Sequence, residues 1–323
     1  MDAIPTDPPV HVHSIAGKAS CCYVDSMNVA FDMGVNFVKS VVQDHVFISH
    51  GHIDHIQALP AHAAERQLTG MKPATYYMPS HLVPHMQQIM VSYSKMQESN
   101  IAAVLVGVDA GSIVHISPKV AVKAFATAHR VASLGYVAYS ISKTLKGEFV
   151  GLPGRELGAL RKQNVVLEDI TWVPSVAYTG DTCIEFFDQH DRCADFLRAA
   201  VLVTEVPISG DLALTVCAKC TFLGDTSAES KADETGHLHL NQLARRMHRF
   251  VNSSLVLTHF SARYSFQYIQ DTLTRQLLPP PHDANDEAVR RIFMAYGDRW
   301  AALTRPPSPP APPAVASDKP TQS

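Results

Sequence analysis

A chain of 323 residues, 46% of them hydrophobic, is long enough to bury a sizeable core in one large domain or two ordinary ones. Its formal net charge of −3 excludes the global basic field of many nucleic-acid binders, although a local basic patch is compatible with it. There is no run of about 18 apolar residues, so no membrane span is expected. The opening stretch, Met1–Gly17, has no arginine and no apolar h-region, which predicts neither a secretory signal nor a typical transit peptide. The six cysteines (Cys21, Cys22, Cys183, Cys193, Cys217 and Cys220) form no disulfide framework for a chain of this length. Cys217-Ala-Lys-Cys220 is a lone C-x-x-C. Reduced thiols fit a cytoplasmic or nuclear protein that is not secreted, with organellar residence left open.

In chain order, Val10–Ile15 and Cys21–Val24 read as strands joined by a turn at Ala16-Gly17-Lys18. Val29–Gly34 reads as a further strand ending in an Asp-x-Gly turn. Asp32 there is read as a turn cap, with the orientation of a metal ligand as the alternative. The apolar run Val46-Phe47-Ile48 looks like the end of a buried strand and leads into Ser49-His50-Gly51-His52-Ile53-Asp54-His55. Helical periodicity follows over Ile56–Thr69, stopping at Gly70. Ala74–Met78 reads as a strand and Ser80–Lys95 as a helix. Ala103–Val106, Ser112–Ile116 and Val120–Thr127 read as strands, the last ending in Thr127-Ala128-His129. Val131–Tyr139 begins the next strand. Lys143–Pro174 is polar and broken by glycines, with a helical piece near Glu156–Lys162. Ala177–Thr182 places Asp181 at another apolar strand end, and Ala199–Glu205 repeats the pattern with Glu205. Gly236-His237-Leu238-His239-Leu240 opens a helix expected to run to about Phe250, with Arg245, Arg246 and Arg249 as a solvated basic face. Ser254–Phe260 is a core strand ending in His259. From Arg305 the chain is proline-rich and cannot pack a core. The domain reading is therefore one unit over 1–304 and a disordered tail over 305–323.

Three imidazoles and a carboxylate in six residues at the end of a core strand are costly to bury unless something binds them. Histidine and aspartate are ligands that zinc accepts. His50 and His52, two apart, suit one ion together with His129. Asp54 and His55, offset by the turn, suit a second with His259, and Asp181 is a bridging carboxylate. Two zinc ions in such a site would lower the pKa of a water and stabilise both the attacking and leaving oxygens of an in-line displacement. The ligand types would also take manganese, iron or cobalt. The inventory fixes hydrolysis and leaves phosphodiester, ester and lactam substrates open.

The ordered set SHGHIDH, TAHR, TGDT and THFSARY resembles the metallo-β-lactamase superfamily and, within it, ribonuclease Z, the tRNA 3′-processing endonuclease. The similarity extends through GMKPATYYMP, GLPGRELGAL, VAYTGDT and the GHLHL–THFSARY pair, in the manner of the short form. The resemblance implies an α/β protein: a four-layer αββα sandwich of two mixed sheets flanked by helices, with a dinuclear zinc site at one edge and a homodimeric assembly. It implies cleavage of precursor tRNA after the discriminator base. His237 would protonate the leaving ribose oxygen, Glu205 would position His237, and Asp54 would act as general base. His239 and His237 compete for the acid role, and helix capping is the bland reading of His237. Three departures stand out. The family's His-Glu-Ala-Thr segment is Thr204-Glu205-Val206-Pro207 here. The insert after Asp211, through about Asp233, is long. The interval for the arm that grips the tRNA elbow holds only Lys143–Pro174, which predicts a shortened arm and keeps a small-substrate zinc phosphodiesterase as the alternative function. A non-catalytic member of the fold would lack a ligand, and none is missing.

Overall fold

The computed structural model describes residues 2–37, 39–205, 234–278 and 291–304. The long insert with Cys217 and Cys220, and the proline-rich tail, lie outside the described residues. Strands β1 (His11–Ile15), β2 (Ala19–Val24), β3 (Val29–Phe31), β4 (His45–Phe47), β5 (Thr75–Pro79) and β6 (Val104–Val108) form one sheet in sequence order. The second sheet runs from β7 (Ile113–Ser117) through β8 (Val120–Ala126), β9 (Leu134–Leu145), β10 (Glu168–Tyr178), β11 (Val201–Glu205) and β12 (Ser254–Thr258) to β13 (Arg291–Tyr296) and β14 (Arg299–Ala302). Both sheets are mixed. β3, β4, β5 and β6 are parallel in the first, with β1 and β2 antiparallel at one edge; β10, β11, β12 and β13 are parallel in the second, flanked by antiparallel β7, β8 and β9 on one side and β14 on the other.

Helices α1 (Ile53–Ile56), α2 (Leu59–Leu68) and α3 (Val83–Met96) belong to the first half of the chain. Helices α4 (Gly154–Lys162), α5 (Glu185–Asp188), α6 (His190–Arg198), α7 (Leu240–Arg246) and α8 (Phe266–Leu277) belong to the second. No helix among the described residues is long and apolar enough to cross a membrane.

The layers follow from the two-residue period of a strand whose faces are both covered. Cys22, Phe31, Phe47, Tyr136, Val176, Val203 and Val256 pack between the sheets. Their neighbours in sequence face outward. Cys21, Ala30, Val46 and Ile48 meet Leu59, Ala63, Met86 and Met90 of α2 and α3. Val137, Ala177, Leu202 and Leu255 meet Phe186, Phe196, Leu243, Ile269 and Leu273 of α5 to α8. The result is the expected four-layer αββα sandwich.

Two local expectations change. The polar stretch Lys143–Pro174 is not merely broken loop: β9 and β10 continue pairing through Leu145 and Glu168, with α4 between them. Ile170, Thr171 and Val173 are exposed there, with Ile141 buried and Trp172 half-buried, so the ribbon has too little buried face to impress a hydrophobic period on its sequence. The helix opened by Gly236–Leu240 begins at Leu240 and ends at Arg246, short of Phe250, with a 3-10 turn over Met247–Arg249.

Candidate metal centre

The loops at the C-terminal ends of β4, β8, β10 and β12 carry His50, His129, Asp181 and His259, and β11 ends in Glu205. The two sheets are drawn together there by one buried carboxylate. Asp32 accepts from Ser49 N (2.6 Å), Ser49 Oγ (2.8 Å), His55 Nδ1 (2.6 Å) and Tyr178 OH (2.7 Å). It sits in the left-handed region (φ 58°) and is wholly buried. The turn-cap reading of Asp32 is thereby corrected: its carboxylate orients His55, a candidate ligand, and the loop that carries His50 and His52. Close approach of the loops also needs Gly180 (φ 60°), where a Cβ would lie 2.6 Å from Ser49 Cβ.

Donor atoms of His50, His52, His129 and Asp181 lie within 4.8 Å of one another and could hold one metal ion. Asp54, His55 and His259 form a second such group. Asp181 faces both, with Oδ2 3.8 Å from His50 Nε2 and Oδ1 3.3 Å from both His55 Nε2 and His259 Nε2. Asp181, Glu205, His237 and His259 make a third, overlapping group.

The hydrogen-bond partners fix the tautomers. Ser49 Oγ gives its proton to Asp32, so it accepts from His50 Nδ1 at 2.9 Å. His129 Nδ1 donates to the Gly236 carbonyl at 2.6 Å. His55 Nδ1 donates to Asp32, and His259 Nδ1 faces Glu205 Oε2 at 3.3 Å. In each of these four rings Nε2 is left directed at the cluster. His55 Nε2 and His259 Nε2 are 3.4 Å apart, and Asp54 Oδ2 lies 3.7 Å and 3.4 Å from them. A buried set of converging acceptors needs a cation or protons at its centre. The titration behaviour agrees. Burial opposes charging His55 and His259, yet the carboxylates of Asp181 and Asp32 hold His55 well above its ordinary value. Asp181, Asp54 and Glu205 push His259 up to about 10 against the same opposition. Burial likewise favours neutral Asp54 and Asp181, and the neighbouring imidazoles outweigh it and lower both. Protons thus stand where a divalent cation could sit, and the residues present suit one. In the first group burial, with a smaller contribution from other imidazoles, lowers His50 and His129, leaving neutral rings ready to coordinate.

His237 donates from Nδ1 to Glu205 Oε2 at 2.8 Å, and both are buried. Glu205 Oε1 accepts from Thr182 N, so the carboxylate is fixed from both ends. Burial opposes protonation of His237, but Glu205, then Asp181, raise it. The capping role falls to His239, whose Nδ1 accepts from Asn241 N at 3.1 Å while its N–H donates to Gln242 Oε1 at 3.0 Å. Capping of α7 by His239 leaves His237 as the histidine paired with Glu205. Arg246 and Arg249 both pair with Asp188, at 2.8 and 3.0 Å. His259 itself adopts φ 64°, a strained value that functional sites sustain. Sequence reasoning missed the β1–β2 turn as part of the site: Gly17 N donates to Asp54 Oδ2 at 2.7 Å and Ala16 bridges to Ser261. A backbone amide in a plain turn carries no sequence signal for this.

Two mixed sheets between helices, with histidine and aspartate clusters at their strand ends, define the metallo-β-lactamase architecture. The metallo-β-lactamase fold protein YhfI of Bacillus subtilis superposes with a TM-score of 0.52 at 15% identity, covering 83% of this chain and 93% of that one. The short form of human tRNase Z gives a TM-score of 0.54 at 16% identity, covering 91% of this chain and 99% of that one. No family model matches the chain. In sequence, tRNase Z TRZ1 of Arabidopsis thaliana is 36% identical over 285 residues, covering 88% of this chain and 96% of that protein. The chain belongs to the ribonuclease Z (tRNase Z) family.

Proposed function

We propose that this protein is a metal-dependent endoribonuclease that removes 3′ trailers from precursor tRNA, with residues 1–304 as its catalytic unit. His50, His52 and His129 would hold one zinc ion, Asp54, His55 and His259 the other, with Asp181 between them. A bound zinc pair supplies a water of lowered pKa and charge stabilisation at the phosphodiester. Asp54 takes the proton from the attacking water. The P–O3′ bond breaks, and the leaving 3′ oxygen receives a proton from Nε2 of His237, whose Nδ1–H is anchored on Glu205. The products are a tRNA ending in a 3′-hydroxyl and a trailer beginning with a 5′-phosphate.

The observation that carries this reading is the His237–Glu205 pair at 2.8 Å, built against the ligand row in a member of this family. A metal cluster alone serves many hydrolases; a raised, carboxylate-held imidazole beside it suits a poor alkoxide leaving group. The β9–β10 ribbon with α4 is proposed as the shortened arm that holds the tRNA. A homodimer is the proposed assembly, checked by light scattering, and a cytoplasmic or nuclear compartment the proposed residence, checked by imaging a tagged chain.

The test is cleavage of an end-labelled, 3′-extended precursor tRNA by zinc-loaded protein, beside a chelated sample, His50→Ala and a generic phosphodiester. The expected result is one cut after the discriminator base, lost in both controls. Turnover of the generic diester with intact tRNA would move the protein to the small-substrate phosphodiesterases.

A further inference from the structure

His52 is contacted on both ring nitrogens. Its Nδ1 lies 2.9 Å from His50 Nε2 and 3.4 Å from His129 Nε2, inside the first ligand group. Its Nε2 lies 3.4 Å from a guanidinium nitrogen of Arg130, an exposed residue. As placed, these contacts have one consistent proton assignment. His50 and His129 commit their Nδ1–H groups elsewhere, so their Nε2 atoms only accept. His52 Nδ1–H then donates to His50, and His52 Nε2 accepts from Arg130, which can only donate.

Coordination of a cation by His52 Nδ1 reverses that assignment. Nδ1 must offer its lone pair, so the neutral ring carries its proton on Nε2, and Nε2–H cannot accept from a guanidinium. In the loaded site Arg130 therefore faces a donor and a divalent ion. Among the described residues no carboxylate makes an ion pair with it: the arginine pairs there are those of Arg66, Arg161, Arg198, Arg246 and Arg249. A cation placed beside a metal group and stripped of its acceptor is poised for an anion, and a guanidinium fork matches two oxygens of a phosphate.

We infer that Arg130 is a substrate-binding residue, whose guanidinium leaves His52 when metal binds and grips a phosphate of the RNA backbone at the first ligand group. This rests on the RNA-cleaving function proposed above.

The test uses the full chain, zinc-loaded, as wild type, Arg130→Gln and Arg130→Lys. Equilibrium binding is followed by fluorescence anisotropy over a salt series, with a 3′-extended precursor tRNA whose scissile link is a slowly cleaved phosphorothioate. Arg130→Gln is expected to weaken binding roughly tenfold, the loss that one charge-assisted hydrogen bond produces. The slope of log K against log salt should fall by about 0.7–0.9, one phosphate contact. Arg130→Lys should keep the slope and recover part of the affinity, with zinc content and melting temperature unchanged in both. Affinity within twofold of wild type with an unchanged slope would overturn the inference, as would a loss that tracks lost zinc or wild-type protein that does not bind the RNA. Cleavage of unmodified precursor by wild type separates the two proposals. Arg130-dependent binding without a cut at the discriminator base sinks the tRNA reading and leaves the phosphate role standing.

Discussion

Glu205→Gln tests whether the carboxylate at the end of β11 serves the acid. Glu205 Oε2 takes a charge-assisted hydrogen bond from His237 Nδ1 at 2.8 Å, with both residues buried. Such a bond contributes about 1.5–3 kcal/mol and a neutral one about 0.5–1.5, so an amide in its place loses on the order of 1–1.5 kcal/mol. At 1.36 kcal/mol per unit, that lowers the proton affinity of His237 by about one pKa unit. The sign follows: Glu205 raises His237, so its loss moves the alkaline limb of the pH–rate profile down, and the defect grows with pH. Single-turnover cleavage of precursor tRNA between pH 5.5 and 9.5 measures it. Above both pKa values kcat should fall about tenfold from protonation alone, and up to about 100-fold once orientation is lost. His237→Ala should cost about 10²–10⁴-fold, the full contribution of a general acid. The double variant should resemble His237→Ala, since the carboxylate acts through the imidazole. A Glu205→Gln defect of equal size at pH 6 and pH 9, with zinc content intact, would refute the reasoning, as would additive losses.

Asp32→Asn should lower metal affinity about 10–100-fold in competition with a chelator, because His55 loses its charged anchor; unchanged affinity would return Asp32 to a turn cap. Metal uptake near pH 7 should release protons, measurable in a weakly buffered solution, because His259, pushed up to about 10, is protonated without metal. In metal-free protein the raised His55 and His259 add stability that is complete below their unperturbed value of about 6.5 and vanishes as pH climbs through their folded values. The lowered Asp54 and Asp181 add stability above about 3.9 that vanishes as pH falls through theirs. The melting temperature of metal-free protein should thus drop from pH 7 to 10, and zinc-loaded protein should be flatter; parallel curves would contradict this. Gly34→Ala would set a Cβ 1.7 Å from the Asp54 carbonyl oxygen and 2.7 Å from Ser20 N, both backbone atoms. A shift of the Asp54 loop and a loss of about 2–3 kcal/mol in denaturant titration are expected, against no change if the loops do not pack.

The candidate ligands stand out in the sequence because each is an anomaly of composition. A histidine or aspartate that ends an apolar strand has no packing reason to be there, and β4, β8, β10 and β12 each end in one. What organises them was not legible. Asp32 reaches Ser49, 17 residues on, and Tyr178, 146 residues on, and nothing in an Asp-x-Gly turn announces either contact. Gly-His-Leu-His-Leu presents His237 and His239 on equal terms; only tertiary contact pairs His237 with Glu205, and only the contact with Gln242 gives His239 to the cap. The outer halves of β9 and β10 carry little hydrophobic period because periodicity records burial, and most of their residues are exposed, with Ile141 the buried exception. Strands β13 and β14 also went unread: Arg291–Tyr296 is a short apolar run, and such runs suit strand and buried helix alike.

The two ligand groups are backed differently, and the difference has a chemical direction. In the first, His50 rests on the hydroxyl of Ser49 and His129 on the carbonyl of Gly236, both neutral acceptors. In the second, His55 rests on the carboxylate of Asp32 and His259 on that of Glu205. A carboxylate behind an imidazole makes it the more basic ligand, and the second group adds Asp54 to the shared Asp181. An ion held by the second group would therefore meet stronger donors and more negative charge, and one held by the first would meet weaker donors with Arg130 close by. An ion held by weak, neutral donors keeps more of its charge for the substrate. An ion in the first group would then be the more electrophilic, on the side where Arg130 is proposed to take a phosphate, while Glu205, shared by His259 and His237, would tie an ion in the second group to the residue proposed as the acid.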